Sequence, residues 1–244
     1  MKNWLLDLLT CPHCTNDASL EIKPTKSHEN EIIEGTLSCT TCGQGFPITN
    51  SIPRFVRNDE NYAENFGYQW NKFRATQIDR FGNHDLSGSR LLKDTRWPSE
   101  FIQDKVILDA GCGAGRFADE LAQNGARVIA CDLSGAVDAC KKTVDNPEGY
   151  SPNRGDVTVI QANLLALPFK KNVFDAIHCA GVIQHTPDPA KIMRSLPTHL
   201  NTAGRLFYNF YEIDVSSKFQ VIKYLLRRWT PKWKMKKLVT TKSM

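Results

Sequence analysis

The sequence lacks any apolar run that approaches the roughly 20 residues of a membrane-spanning helix. Its first ten residues are interrupted by Asp7 and have no small-residue cleavage site, so we expect no secretion signal there. Acidic residues are absent from positions 215–244, which hold nine of the 31 Lys and Arg residues. The other 22 basic residues face 26 acidic ones, a net charge of −4. The formal charge of +5 therefore comes from a basic tail and not from the body of the protein.

Eight cysteines in a chain without an export signal indicate reduced thiols and metal binding, as in a cytoplasmic protein. Four of them form two CxxC pairs: Cys11, Cys14, Cys39 and Cys42. Two such pairs can surround Zn²⁺ as a tetrahedron, and four thiolates leave no open position, so we predict a structural zinc site. The alternative is four incidentally buried cysteines. Between the pairs, residues 20–23 and 31–38 alternate in polarity and predict a hairpin.

The segments around these cysteines are Cys11-Pro-His-Cys14, Cys39-Thr-Thr-Cys42-Gly43, Phe46-Pro-Ile48 and Ile52-Pro53. Together they resemble the small zinc-ribbon proteins that activate tRNA methyltransferases, over about residues 5–56. The resemblance implies bound zinc, and it makes a protein partner for the ribbon a second expectation.

Residues 61–81 are dense in aromatic side chains. A spacing of three or four residues predicts one helix with an apolar face, formed by Phe66, Trp70, Phe73, Gln77 and Phe81. We expect that face to pack on the main domain. The functional alternative is a lid over a ligand, formed by Tyr68, Gln69 or Trp70.

A glycine-rich stretch organises the rest of the chain. The apolar residues 106–108 predict a buried strand, which leads into a tight turn at Gly111, Gly113 and Gly115 and then a helix over residues 117–123. Further strands are predicted at 127–132, 157–161, 174–180 and 205–210. Helices are predicted at 135–144 and 189–200, with a turn at Ala203-Gly204. The alternation predicts an α/β fold with a doubly wound parallel sheet and a nucleotide site at the glycine turn.

Two carboxylates discriminate between nucleotide classes. A dinucleotide oxidoreductase would bring a pyrophosphate to the turn, where Asp109 would repel it. Asp109 instead suits the amino group of a methionine moiety, and Asp132, 23 residues later, can accept hydrogen bonds from ribose hydroxyls. The charge pattern therefore favours S-adenosylmethionine (SAM) over a nicotinamide dinucleotide.

The same region carries Leu108-Asp-Ala-Gly-Cys-Gly-Ala-Gly115, the acid Asp132, Leu167-Pro-Phe169, Phe174-Asp175 and Val182-Ile-Gln-His185. This set resembles the class I SAM-dependent methyltransferases, of the methyltransferase type 11 kind, and implies a Rossmann-like sheet. The resemblance implies that residues 111–113 approach the methionine part, Asp132 the ribose, and Asn163 with Leu164 the adenine. The implied cofactor site also includes Asp109, Cys112, Gly115, Leu133 and Ala180.

One position departs from the family pattern, which commonly has Asp where this chain has Asn163. The amide oxygen of Asn163 can still accept a hydrogen bond from the adenine amino group. Asp175 begins its strand, at the edge away from the ligand, and is predicted to be structural.

His185 is the candidate catalytic base, because it follows the C-terminal end of the fourth strand, where such sheets hold substrate. Methyl transfer from a sulfonium is an in-line displacement that needs a base only when the acceptor must lose a proton. The alternative is that His185 only shapes the pocket. Four other histidines are predicted to be surface or packing residues: His28, His84, His178 and His199. Four cysteines are predicted to be small apolar fillers: Cys112, Cys131, Cys140 and Cys179.

These features predict a zinc ribbon over residues 1–58, an aromatic lid or linker over 59–100, a SAM-binding core over 101–214 and a basic amphipathic helix over 215–244. Class I methyltransferases usually end in a two-stranded hairpin, and no alternating pair follows residue 210, so we expect the last two strands of seven to be missing. Truncation is favoured over a helical insertion, because an open sheet edge would be a liability. The basic helix has three interpretations: an ordinary exposed helix, a helix that binds an anionic membrane surface, or a segment that binds RNA.

The favoured function is SAM-dependent methylation of a small-molecule, lipid or glycan-type acceptor. One alternative is methylation of rRNA or tRNA, which the zinc ribbon and the basic tail suggest and the net acidic body argues against. The other is a non-catalytic SAM-binding adaptor whose ribbon recruits a partner.

Overall fold

The computed structural model describes residues 1–14, 18–56 and 64–210. Residues 1–209 form one compact unit that contains two separate sheets. Within these described ranges, no helix has the length and apolar character needed to cross a membrane. Three predictions lie outside the described residues: the ribbon boundary near residue 58, the basic tail, and the absence of the last two strands.

A four-stranded antiparallel sheet forms the N-terminal part of the unit. Its strands are β1 (Leu20–His28), β2 (Glu31–Cys39), β3 (Gly45–Thr49) and β4 (Ile52–Pro53), in that spatial order, after a 3₁₀-helix over Asn3–Leu8. The predicted hairpin is confirmed, since β1 and β2 are antiparallel with Leu20 opposite Cys39. Leu37, Phe46 and Ile48 are buried, which gives this small sheet an apolar face.

A five-stranded parallel sheet forms the larger part. Its strands are β5 (Val106–Ala110), β6 (Arg127–Asp132), β7 (Val157–Gln161), β8 (Phe174–Ala180) and β9 (Leu200–Asn209). The order is β7-β6-β5-β8-β9, which confirms the predicted parallel α/β sheet. The order reverses between β5 and β8. Ligands of such sheets bind at this reversal, outside the carboxyl ends of the strands.

Seven α-helices accompany the larger sheet within the described residues. They are α1 (Glu64–Lys72), α2 (Asp79–Gly82), α3 (Leu86–Thr95), α4 (Ser99–Ile102), α5 (Arg116–Gln123), α6 (Ala136–Val144) and α7 (Pro189–Ser195). The start of α7 is as predicted, because Asp188 caps it by accepting a hydrogen bond from the backbone N–H of Lys191 at 2.9 Å. The helix ends earlier than predicted, at Ser195, and a 3₁₀-helix follows over Leu196–His199.

The prediction of a single helix through residues 61–81 is wrong. The helix α1 ends at Lys72, and a 3₁₀-helix over Arg74–Gln77 separates it from α2. Phe66 and Phe73 are 40% and 41% exposed, so the aromatic spacing does not produce one buried face. Among the described residues of this region, two have buried side chains: Ile78, just before α2, and Asp79, its first residue.

The predicted turn at Ala203-Gly204 lies within the bounds of β9, and the chain does bend there, because a Cβ on Gly204 would stand 2.9 Å from Cβ of Leu200. That strand begins at Leu200 instead of residue 205. Leu200 pairs with Phe174 while Arg205 pairs with Ala176, so β9 carries extra residues between two adjacent pairings. The turn-forming residues therefore mark an irregularity in the strand, of the kind that a β-bulge produces.

The small sheet is docked directly on the larger one. In the segment before β1, the backbone N–H of Thr10 donates to the carbonyl of Pro168, and that of Lys170 donates to the carbonyl of Leu8. At the end of the small sheet, Arg54 forms a parallel bridge with Gln161, the last residue of β7. The guanidinium of Arg54 also donates to Asp138 on α6 at 2.7 Å. The ribbon segment is thus attached beside the carboxyl ends of β6 and β7.

Candidate functional site

The glycine turn after β5 adopts a conformation that side chains would disturb. Gly111, Gly113 and Gly115 have φ angles of +85°, +54° and +90°, a region that residues with a Cβ rarely adopt. A Cβ on Gly111 would also lie 2.3 Å from a methyl carbon of Val182. These positions therefore require glycine both for the backbone and for space.

Backbone hydrogen bonds tie this turn to the neighbouring strand β6. The N–H groups of Gly111 and Cys112 both donate to the carbonyl of Cys131, at 2.7 and 3.0 Å. The N–H of Gly113 donates to Oδ2 of Asp132 at 3.1 Å. The turn then enters α5 at Arg116, with Gly115 as its N-cap. Backbone N–H groups at the start of a helix attract negatively charged and polar ligand atoms.

Asp132 ends β6 with its carboxylate held in a fixed orientation. Besides the contact with Gly113, its Oδ1 accepts hydrogen bonds from the N–H and the hydroxyl of Ser134 at 2.8 and 2.7 Å. Burial raises the pKa of this carboxyl above its ordinary value, although the hydrogen bonds from Ser134 and Gly113 oppose that rise. A carboxylate held this way beside the glycine turn can accept hydrogen bonds from vicinal hydroxyls.

The residues predicted at the adenine follow β7, beside Asp132. The N–H of Ala162 donates to the carbonyl of Asp132 at 3.0 Å, which brings Asn163 next to this strand end. Leu133 and Leu164 are both buried apolar side chains. The amide oxygen of Asn163 accepts a hydrogen bond from the N–H of Leu165 at 3.0 Å. The side-chain oxygen of Asn163, which is predicted to accept from adenine, therefore already accepts a hydrogen bond within its own loop.

Asp109, the last residue but one of β5, is buried at 2% exposure. Its Oδ1 lies 2.9 Å from Nδ1 of His178. Its Oδ2 is buried and has no hydrogen-bond partner among the described residues. A buried carboxylate oxygen without a donor is costly, so this atom is suited to a cationic or N–H donor from a ligand.

His178 is the functional neighbour that sequence reasoning did not identify. It is buried, as the predicted packing role requires, but its ring also contacts the carboxylate of Asp109. The two residues are 69 positions apart in sequence and become neighbours only because β5 pairs with β8 in a register that opposes them. The sequence signal for this role is a single histidine within an otherwise apolar part of a strand.

The carboxyl end of β8 completes the site on the other side of the turn. Ala180 is the last residue of β8, and the next N–H, of Gly181, donates to the side chain of Asn209 at 2.6 Å. His185 ends a 3₁₀-helix over Ile183–His185 that follows directly. Its ring centroid lies 5.5 Å from that of Phe66 on α1. The predicted base is therefore at the carboxyl edge of the sheet, beside the aromatic segment.

The helix α1 lies over the glycine turn. The indole nitrogen of Trp70 is 3.1 Å from the point where a Cβ of Gly113 would stand. Gly67 packs on the backbone of Gly135, where a Cβ would lie 2.9 Å from the nitrogen, and Asn71 donates to the carbonyl of Gly135 at 2.7 Å. This placement favours the lid interpretation for Trp70.

Trp70→Ala is expected to weaken SAM binding about tenfold, because removal of the indole exposes the turn to water and deletes an apolar contact. The measurement is isothermal titration with SAM. Tyr68→Ala is the matched control, since Tyr68 lies on the same helix and is 39% exposed. Equal affinities for both variants would contradict the lid role.

The four cysteines of the two CxxC pairs converge as predicted. Their sulfur atoms all lie within 4.8 Å of one another, with Cys11 and Cys42 at 3.7 Å and Cys14 and Cys39 at 3.7 Å. Backbone N–H groups of Cys42 and Thr41 donate to the sulfur of Cys39 and lower its pKa to about 6, which favours the thiolate. The ring of His13 stacks on that of Phe46, with centroids 5.7 Å apart. Four sulfurs at this spacing fit a structural Zn²⁺.

The remaining cysteines are buried fillers, as predicted. Cys112, Cys131, Cys140 and Cys179 all lie in the apolar core. Burial raises the pKa of Cys112, Cys131 and Cys179 above the ordinary thiol value, which keeps them protonated. Asp175 is structural, since its Oδ2 accepts from the N–H of Val106 at 2.8 Å at the amino end of the sheet.

Two protein families match parts of the chain. Residues 108–208 match a family described as a methyltransferase domain, and residues 2–51 match a family described as Trm112p-like protein.

Individual relatives match the larger part. A ubiquinone biosynthesis O-methyltransferase of Chromobacterium violaceum is 31% identical over 129 residues, 52% of this chain and 52% of the relative. One of Nitrosomonas europaea is 28% identical over 129 residues, 52% of this chain and 53% of the relative. The chain therefore spans about half the length of the curated relatives it matches.

Among solved structures, a SAM-dependent methyltransferase of Methanosarcina mazei aligns with a TM-score of 0.47 and 23% identity, covering 51% of this chain and 60% of that one. A phosphoethanolamine N-methyltransferase of Haemonchus contortus aligns with a TM-score of 0.45 and 15% identity, covering 59% of this chain and 31% of that one.

Proposed function

Since the chain carries a class I SAM-dependent methyltransferase domain with an N-terminal zinc ribbon of the Trm112p-like type, we propose that it transfers a methyl group from SAM to a small-molecule acceptor. One observation carries the proposal. The glycine turn, the fixed carboxylate of Asp132 and the buried Oδ2 of Asp109, which has no partner within the described part of the chain, lie at the carboxyl edge of the sheet. These groups offer the donors and acceptors that the amino acid and ribose parts of SAM need.

Each part of the cofactor has a complementary group in this arrangement. Backbone N–H groups at the start of α5 attract the carboxylate of the methionine moiety, and Oδ2 of Asp109 accepts from its ammonium group. Asp132 accepts from the ribose hydroxyls. Leu133 and Leu164 enclose the adenine between apolar side chains, and Asn163 lies at its edge. Ala180 and Cys112 line the remaining walls.

The chain contributes to the reaction mainly by positioning. Bound SAM supplies an electrophilic methyl group whose transfer breaks the sulfur–methyl bond and leaves a neutral thioether. The residues of the turn and Trp70 hold the donor and exclude water, and alignment of donor and acceptor accounts for much of the acceleration. His185 lies on the acceptor side of the turn and can take a proton from a hydroxyl acceptor.

His185→Ala separates the base role from a shaping role. If His185 takes the proton of a hydroxyl acceptor, kcat falls about 10²–10⁴-fold while the affinity for SAM stays within about twofold. His185→Gln is the companion variant, because the glutamine side chain keeps the volume without the basic nitrogen. A turnover rate that is unchanged in both variants would eliminate the base role.

The acceptor class is supported by two observations. The relatives named above are O-methyltransferases of ubiquinone biosynthesis, and the exposed aromatic residue Phe66 packs against His185. Both favour a hydroxyl on an apolar or aromatic small molecule. The test is mass spectrometry of metabolite extracts and, separately, of RNA after incubation with isotopically labelled SAM. Label in a small molecule supports the proposal, whereas label confined to RNA would favour the alternative.

The zinc ribbon is proposed to have a structural role. The four cysteines provide a full tetrahedral set, which leaves no position for a substrate. Its attachment to Gln161 and Asp138 places it beside the loops that hold Asp132 and Asn163. A protein partner bound to the exposed side of the ribbon remains a second proposal, in keeping with the family that it matches.

A further inference from the structure

Asp109 and His178 form a buried polar pair at the centre of the larger sheet. They are direct partners in the register of β5 and β8, so their side chains lie on the same face. The ring nitrogen Nδ1 lies 2.9 Å from Oδ1, and the side chains are only 1% and 3% exposed. Water cannot easily replace this contact, and a hydrogen bond to a carboxylate is strong in such surroundings.

Three aromatic side chains fix the plane of the His178 ring. Phe207 stacks on it with centroids 5.3 Å apart and an interplanar angle of 16°. Phe117 packs at 4.6 Å, and Trp97 approaches edge-on at 6.5 Å. Because the facing atom is an oxygen of the Asp109 carboxylate, which accepts, the proton of this hydrogen bond is assigned to Nδ1 of His178.

The geometry of the pair leaves one oxygen for a ligand. His178 occupies Oδ1 of Asp109, while Oδ2 is buried and lacks a partner among the residues described. Rotation of the carboxylate would break its hydrogen bond with His178. The aromatic packing around His178 therefore determines the direction in which Oδ2 points.

We propose that His178 is a positioning residue that orients the carboxylate of Asp109 toward the ammonium group of the cofactor's amino acid moiety. This inference rests on the proposed function, which assigns that contact to Asp109. His178 acts through Asp109 and touches no reacting atom. The expected signature is a loss of affinity only for ligands that carry the ammonium group.

Two ligands isolate that signature. S-adenosylhomocysteine carries the amino acid moiety, whereas 5′-methylthioadenosine has the same adenosine and a thioether but no amino acid. His178→Phe removes the donor and keeps an aromatic ring among aromatic neighbours. We expect it to weaken S-adenosylhomocysteine binding by about 10–100-fold and to change 5′-methylthioadenosine binding by less than about twofold.

Two further variants test the mechanism. The side-chain nitrogen of Asn is as many bonds from the backbone as Nδ1 of His, so His178→Asn is expected to restore most of the affinity for S-adenosylhomocysteine. In the background of Asp109→Asn, adding His178→Phe is expected to cost nothing further, because the two residues act as one unit. If His178→Phe fails to fold, the test is the affinity for S-adenosylhomocysteine relative to that for 5′-methylthioadenosine. This ratio is then compared between His178→Asn and Asp109→Asn.

The outcomes separate this inference from the proposed function. Equal losses for both ligands, or unchanged affinity for S-adenosylhomocysteine in a folded His178→Phe variant, would overturn the positioning role while SAM binding by the wild type stands. A wild-type chain that binds neither ligand would overturn both. Circular dichroism melting of each variant supplies the check on folding.

Discussion

Gly111→Ala is expected to reduce SAM affinity by about 100-fold or more, which corresponds to about 2.8 kcal/mol. Two effects add at this position. The backbone has a φ angle of +85°, which costs a residue with a Cβ roughly 1–2 kcal/mol. The new methyl group would lie 2.3 Å from Val182, so the turn or the residues after β8 must move. Either movement displaces the glycine turn that we propose holds the cofactor. Isothermal titration with SAM measures the effect.

A matched control separates backbone strain from damage to the site. Gly125 has a φ angle of +87°, but it lies between α5 and β6 at the opposite edge of the sheet. A Cβ at this position would stand 3.3 Å from its nearest neighbour, the side chain of Gln103. Gly125→Ala is expected to lose about 1 kcal/mol of folding stability and to keep SAM affinity within about twofold. Adding Val182→Ala to Gly111→Ala should recover part of the affinity, because it relieves the clash and leaves the strain. SAM affinity that is unaffected by Gly111→Ala would exclude this turn as the site.

Cys39→Ser is expected to abolish stoichiometric zinc binding and to destabilise the whole unit of residues 1–209. Structural zinc sites contribute directly to folding, so their loss unfolds the segment they hold. A loss of about 3 kcal/mol would lower the Tm by about 6–12 °C for a protein of this size. Elemental analysis of the purified chain and calorimetry measure the two effects.

The damage is expected to reach the cofactor site along one path. Arg54 donates to Oε1 of Gln161 at 2.8 Å, and Nε2 of Gln161 donates to the carbonyl of Leu133 at 2.9 Å. Unfolding of the ribbon removes the hydrogen bond from Arg54 to Gln161, so SAM affinity should fall together with the zinc content. His13→Ala is the control, since His13 lies in the other CxxC knuckle, between Cys11 and Cys14, and stacks on Phe46. It should retain one zinc per chain. Full zinc occupancy in Cys39→Ser would contradict the four-thiolate site.

Local patterns in the sequence were enough to predict most of the fold. The apolar runs marked all five parallel strands, and the alternating glycines marked the turn after β5. The two CxxC pairs predicted a cluster of four cysteines, because this spacing lets both thiolates of a pair bind the same metal ion. Asp132 was identifiable because an acid at the end of the second strand is adjacent to the turn in any parallel sheet of this kind.

Features that depend on register or on distant packing could not be predicted. Asp109 and His178 meet because two strands pair in one particular register, which no local pattern encodes. The aromatic spacing of residues 61–81 suggested one helix, yet the chain turns after Lys72, where Ile78 and α2 pack separately. Ala203-Gly204 has the composition of a turn, and only the pairing of β9 with β8 shows that this bend is an irregularity within a strand.

Isothermal titration of the full chain, with SAM and with NAD⁺, tests the central claim most directly. The carboxylates of Asp109 and Asp132 at the glycine turn predict saturable binding of SAM at one site per chain and no measurable heat with NAD⁺. Asp132→Asn should weaken SAM binding about tenfold or more, because the ribose hydroxyls lose a charged acceptor. Binding of NAD⁺ without binding of SAM would contradict the assignment of this site to a methyl donor.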